Sequence, residues 1–104
     1  MKRFEIGEDW PREYDVIGGT DRSQAAVRVI QPHTVVGRPE DRHPDSDQWV
    51  FVLSGTGRAV VDGREAKLAP GTLLLVEAGE PHEFHNETEA GLVTVSIFSP
   101  PPSH

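Results

Sequence analysis

Short apolar runs separated by turn residues fill the chain. Ala25–Gln31, Gln48–Leu53, Arg58–Asp62, Arg64–Leu68, Thr72–Glu77, His82–Asn86 and Leu92–Phe98 each have the length of a strand, and none sustains a helical period over three turns. Val and Ile together outnumber Leu by 16 to 6. Their branched Cβ is crowded on a helix and packs well on a pleated surface. Between the runs stand Gly18-Gly19, Ser54-Gly55-Thr56-Gly57, Asp62-Gly63, Pro70-Gly71 and Ala78-Gly79-Glu80-Pro81, each a signal for chain reversal. Asp62-Gly63 parts two runs by only two residues, the length of a tight hairpin whose turn needs positive φ. The pattern predicts an all-β, antiparallel sandwich or barrel.

Side chains alternate between the two faces of a strand, so each run can be sorted by face. Gln48, Val50 and Val52 share one face. His82, Phe84 and Asn86 share another, with Glu83 and His85 opposite. Trp49–Leu53 and Leu73–Val76 are apolar on both faces, one to fill the barrel and one to meet a second sheet or a partner. A small β domain must also protect its edges. A homodimer is the expectation that follows. Residues 1–24, with Trp10-Pro11 and Tyr14, are expected to form an arm packed on a barrel of residues 25–98, and the Pro-rich residues 99–104 an extended tail.

The 104 residues make one domain. Ten Lys and Arg against 17 Asp and Glu leave a net charge of −7, which repels phosphate backbones and anionic membranes and argues against both as partners. No apolar run is long enough to span a bilayer, and Met1–Glu5 has no apolar segment behind its basic residues, so a cytoplasmic protein is expected. The absence of Cys removes disulfides, thiolate nucleophiles and Cys-held zinc.

What chemistry the chain carries is concentrated in two groups. The first runs from Gly37 through Asp41, His43, Asp45 and Gln48 to Gly55. The second runs from Gly71 through Glu77, Gly79 and His82 to Asn86. Together they resemble the paired motifs of the cupin superfamily. In the second motif Gly71, Gly79, His82 and Asn86 keep the family spacing, with Glu77 where Pro is usual. In the first, Gln48 takes the place of Glu, six residues before Gly55. Counting back from Gln48 puts Asp41 and His43 at the two His positions. Counting forward from Gly37 puts His43 and Asp45 there instead, and the strand-borne Gln48 is the preferred anchor because a strand fixes register better than a loop.

The resemblance implies a jelly-roll barrel, an antiparallel double-stranded β-helix, holding one divalent metal ion (Fe, Mn, Ni or Zn) through Asp41, His43, Gln48 and His82. Two imidazoles and a carboxylate suit non-haem Fe(II), or zinc with an open position. Exchanging one His for Asp and Glu for Gln keeps the donor charge at −1. Val50 and Phe84 are expected to line the cavity; Asp45, Glu77 and Glu83 are candidate acceptors behind the ligands, with solvated turn residues the alternative for the two Glu. Asn86 is read as a backbone tie and His33 as a surface turn residue. The function implied is a metal-dependent enzyme acting on a small polar molecule, with dioxygenase chemistry ahead of isomerase or lyase. Two alternatives stay open. One is a non-catalytic binding or sensing barrel for a small ligand. The other is a metal-free isomerase or lyase in which the two His hydrogen-bond with Gln48.

Overall fold

The computed structural model describes residues 1–38 and 44–102. Among them lie nine strands: β1 (Tyr14–Gly19), β2 (Gln24–Ile30), β3 (Thr34–Arg38), β4 (Asp47–Ser54), β5 (Gly57–Val61), β6 (Arg64–Leu68), β7 (Leu73–Val76), β8 (His82–Asn86) and β9 (Leu92–Ser99). They form two antiparallel sheets, ordered β1-β2-β9-β4-β7 and β3-β8-β5-β6. The chain passes back and forth between the sheets, so the strands of each come from distant parts of the sequence. This is the all-β antiparallel architecture expected from the pattern, in the jelly-roll form that the resemblance implied. No helix among the described residues is long and apolar enough to cross a membrane.

The face alternation read from the sequence sets the core. β4 buries Gln48, Val50 and Val52 and turns Trp49 and Phe51 outward. β8 buries His82, Phe84 and Asn86. Ile30, Val50, Val52, Ala59, Leu68, Val76, Phe84 and Leu92 pack between the sheets as one cluster. The Asp62-Gly63 hairpin is formed as predicted: Val61 pairs with Arg64, and both turn residues have positive φ, 49° and 77°. Asn86 is the tie that was expected. Its Nδ2 donates to the carbonyls of Ile30 and Ala90, and its Oδ1 accepts from Thr88.

Two strands extend what the sequence pattern offered. β1 lies within the stretch read as an arm and pairs with β2, with a register shift between Val16 and Gly18. The Arg28 guanidinium sits 4.4 Å over the Tyr14 ring. Asp15 accepts from Trp10 Nε1 and from Arg12 Nε. Gly18-Gly19, read as a break, ends a strand that cross-strand pairing holds. β3 pairs with β8 along Thr34–Arg38, following a turn in which His33 has φ 56°. Its five residues were too few to stand out before a loop rich in charge and Pro. At the other end of the chain, β9 runs through Ser99, and Ser46 Oγ donates to the Pro100 carbonyl at 2.7 Å.

Candidate functional site

One end of the barrel brings together two buried polar side chains, Gln48 and His82. Gln48 stands at the start of β4, opposite Val76 at the end of β7. The turn 77–81 then carries the chain across to His82, the first residue of β8. This turn is clamped to both sheets. Ala78 N donates to Asp47 Oδ1 at 2.9 Å, and Asp62 N donates to the Pro81 carbonyl at 2.8 Å. Gln48 and His82 therefore lie on inner faces of opposite sheets at the same end.

Gln48 is 7% exposed. Its Nε2 donates to Ser96 Oγ at 3.1 Å, across the pairing of β4 with β9. Its Oε1 is fully buried and has no hydrogen-bond partner among the described residues. A buried carbonyl without a partner costs about 1–3 kcal/mol, so this atom is held where a donor or a cation would be accommodated.

His82 is buried, and its Nδ1 lies 3.1 Å from the Glu80 backbone carbonyl. A carbonyl only accepts, so Nδ1 carries a proton; in the neutral ring the lone pair then falls on Nε2, the tautomer suited to a metal or to a donor group. The Phe84 ring packs beside the imidazole, with centroids 5.8 Å apart and planes inclined by 57°. Gly37 lies across from this strand with φ 79°, and a Cβ there would come within 2.8 Å of the His82 carbonyl oxygen. The absence of a side chain at Gly37 thus sets how closely β3 approaches the His82 backbone.

The remaining sequence-predicted residues divide as follows. Asp41 and His43 lie outside the described residues. Asp45 is exposed in the turn before Ser46. Val50 and Phe84 belong to the packed core below Gln48 and His82. Glu77 and Glu83 were candidate acceptors behind the His82 ring, with solvated turn residues as the alternative, and neither holds His82 Nδ1. The acceptor at Nδ1 is the Glu80 carbonyl, because the tight turn before β8 brings the backbone to that nitrogen. Glu77 is exposed in that turn. Glu83, one residue from His82, faces the other side of the sheet and pairs with His85 Nε2 at 2.8 Å. Ser96, the partner of Gln48, was missed; it lies 48 residues away on a strand without a motif.

On the outer face of the four-stranded sheet Arg58 bridges Glu87 and Glu65, and its Nη2 reaches His85 Nδ1 at 3.4 Å. The hydrogen bond and charge of Arg58 make Glu87 more acidic than an ordinary Glu. Glu87, with Glu65, makes the guanidinium harder to deprotonate. Nothing in this cluster faces the barrel interior. Among the described residues no three His, Asp or Glu side chains come together as a metal site. Those residues contribute one imidazole and one carboxamide to the end of the barrel, a partial donor set that fits a divalent ion in kind.

Residues 26–98 match the family model described as Cupin domain. Over 61 residues the chain is 34% identical to the HTH-type transcriptional activator RhaS of Mannheimia succiniciproducens, covering 59% of this chain and 22% of that protein. The chain thus corresponds to about a fifth of the length of this relative. A solved Bacillus halodurans protein superposes with a TM-score of 0.84 at 23% identity, covering 99% of this chain and 85% of that one. KdgF from Halomonas sp. superposes with a TM-score of 0.78 at 21% identity, covering 86% and 79%. At these identities the two structures testify to the fold.

Proposed function

The chain belongs to the cupin family, and from that premise we propose that it binds a divalent metal ion at the Gln48–His82 end of the barrel and acts there on a small polar molecule. One observation carries this reading: Gln48 Oε1 is a buried acceptor with no partner among the described residues. The hydrogen bond at His82 Nδ1 supports it, since in the neutral ring it leaves the lone pair on Nε2. Asp41 and His43 complete the proposed donor set. One carboxylate with three neutral donors leaves a divalent site with net positive charge, which attracts an anionic or enolic oxygen. A bound ion would supply Lewis-acid polarisation of a substrate oxygen or, as iron, a redox centre for dioxygen.

The chain's own residues do the rest. Ser96 orients the Gln48 carboxamide, the Glu80 carbonyl fixes the His82 ring, and the apolar core with Val50 and Phe84 floors the site against water. Dioxygenase-type chemistry heads the reactions to assay, because two imidazoles and one carboxylate are the usual set for non-haem Fe(II).

Metal analysis after reconstitution tests the proposal. Dialysed protein loaded separately with Fe(II), Mn(II), Ni(II) and Zn(II) is expected to retain about one ion per chain of at least one of them. His82→Ala should lower its affinity by at least about tenfold. No retained ion, or equal occupancy in the His43→Ala/His82→Ala double variant, would overturn it. The match to a segment of a transcriptional activator favours a second reading, a barrel that binds a small ligand without converting it. Ligand binding with no product formed by the metal-loaded protein would select that reading.

A further inference from the structure

The turn between β7 and β8 is held by its own backbone and by two carboxylates. Glu80 N donates to the Glu77 carbonyl at 3.0 Å, and Gly79 has φ 84°. This is the form of a type II turn, whose third residue needs positive φ. That backbone bond does not use the N–H groups of Glu77 and Ala78. Glu77 N donates to Glu80 Oε1 at 2.7 Å, and Ala78 N donates to Asp47 Oδ1 at 2.9 Å. Hydrogen bonds to an ionised acceptor are among the stronger ones. The turn they stiffen presents the Glu80 carbonyl that accepts from His82 Nδ1.

We infer that Asp47 is a positioning residue for His82. It anchors the turn at Ala78, the Glu80 carboxylate closes the turn, and together they fix the Glu80 carbonyl and through it the imidazole. Asp47 is exposed and Gln48 is buried, neighbours on β4 with side chains on opposite faces. Gln48 pairs with Val76, the last residue of β7, so the turn begins beside Asp47. β4 is thus the common reference for two buried polar groups. It carries the Gln48 carboxamide directly, and it holds the His82 ring through Ala78, the turn and the Glu80 carbonyl.

The other contacts at this point hold the strand. The His82 backbone pairs with Arg38 of β3 and Val61 of β5, and the Pro81 carbonyl accepts from Asp62 N. None of these involves the Glu80 carbonyl, whose direction depends on the turn. The terminal torsion of an imidazole is soft, so an acceptor at Nδ1 selects its angle and, in the neutral ring, which nitrogen carries the proton. The consequence for metal affinity rests on the metal-binding reading above; the consequence for the ring does not.

Nitrogen-15 spectra of the His82 ring in metal-free protein are the test, taken at about pH 9, where an ordinary imidazole is neutral. Titration with each of the four metal ions near neutral pH accompanies them. Wild type is expected to carry the proton on Nδ1. Asp47→Ala should move both ring-nitrogen signals toward a mixture of tautomers and weaken the retained ion several-fold, with the circular dichroism of the strands unchanged. Asp47→Asn keeps an accepting oxygen and should restore both, which separates the hydrogen bond from the charge. Glu80→Ala against Glu80→Gln makes the same comparison from within the turn. Ring signals that stay as in wild type in both alanine variants overturn the proposal. So does an Asp47→Asn protein that behaves as Asp47→Ala, since the effect would then belong to the charge. If Asp47→Ala moves the ring and Asp47→Asn restores it while wild type retains no metal ion, the positioning role stands and the metal-binding reading falls.

Discussion

Among the described residues Gln48 has a partner at one end of its carboxamide and none at the other, and Ser96 decides which end is which. With Ser96 Oγ accepting from Nε2, Oε1 is the atom turned away from β9. Ser96→Ala is expected to cost about 1 kcal/mol of stability for the lost hydrogen bond, read by chemical denaturation. It should also weaken binding of the retained metal several-fold, as loss of a group that orients a ligand does. Ser96→Thr keeps the hydroxyl and should restore affinity; if it fails to, Ser96 has no orienting role. His82 was legible in the sequence because its spacing from Gly79 and Asn86 is local. Ser96 was not, because strand pairing alone brings it to Gln48. The proton at His82 Nδ1 was equally hidden, since it depends on where the turn 77–81 places the Glu80 carbonyl.

Two glycines with the same backbone conformation separate turn geometry from close approach. Gly63 in the β5–β6 hairpin and Gly37 at β3 have φ of 77° and 79°. A Cβ on Gly63 meets open space, whereas one on Gly37 meets the His82 carbonyl. Gly63→Ala should therefore cost only the left-handed backbone strain, about 1–2 kcal/mol. Gly37→Ala should cost more and also lower metal affinity by moving β8 at His82. Equal losses in denaturation midpoint, with metal affinity unchanged, would show that β3 does not set the position of His82. The hairpin was legible because its turn residues announce it. β1 and β3 are edge strands of their sheets, short and weak in pattern, and they exist because β2 and β8 offer unpaired backbone beside them.

For the molecule as a whole, acid is the informative stress. Glu87 beside Arg58 is more acidic folded than unfolded, and so is Asp15, held first by the hydrogen bond from Arg12, then by that from Trp10 and the Arg12 charge, against partial burial. Each binds fewer protons folded than unfolded through the carboxylate range, so its contribution is present at neutral pH and lost as pH falls through that range. Thermal stability should hold from neutral pH to about 5 and decline below about 4. Arg58→Met should flatten that decline, because the ion pairs it loses are those that protonation removes. An unchanged acid profile in the variant would assign the decline to other carboxylates.

Periodicity, β-branching and turn residues, all carried within a few positions of one another, determined by themselves that the chain is all-β, where most strands lie, which faces they bury, and that His82 sits at the head of an inner face. Only the tertiary structure decided what those faces meet. It paired Gln48 with Ser96 and left Oε1 without a partner among the described residues, turned the His82 Nδ1–H toward a backbone carbonyl, sent Glu83 outward to His85, and added part of the N-terminal stretch to one sheet as β1. The reason is physical. Side-chain alternation is fixed by the covalent geometry of each strand, whereas partners across a sheet are fixed by register between segments far apart in the chain.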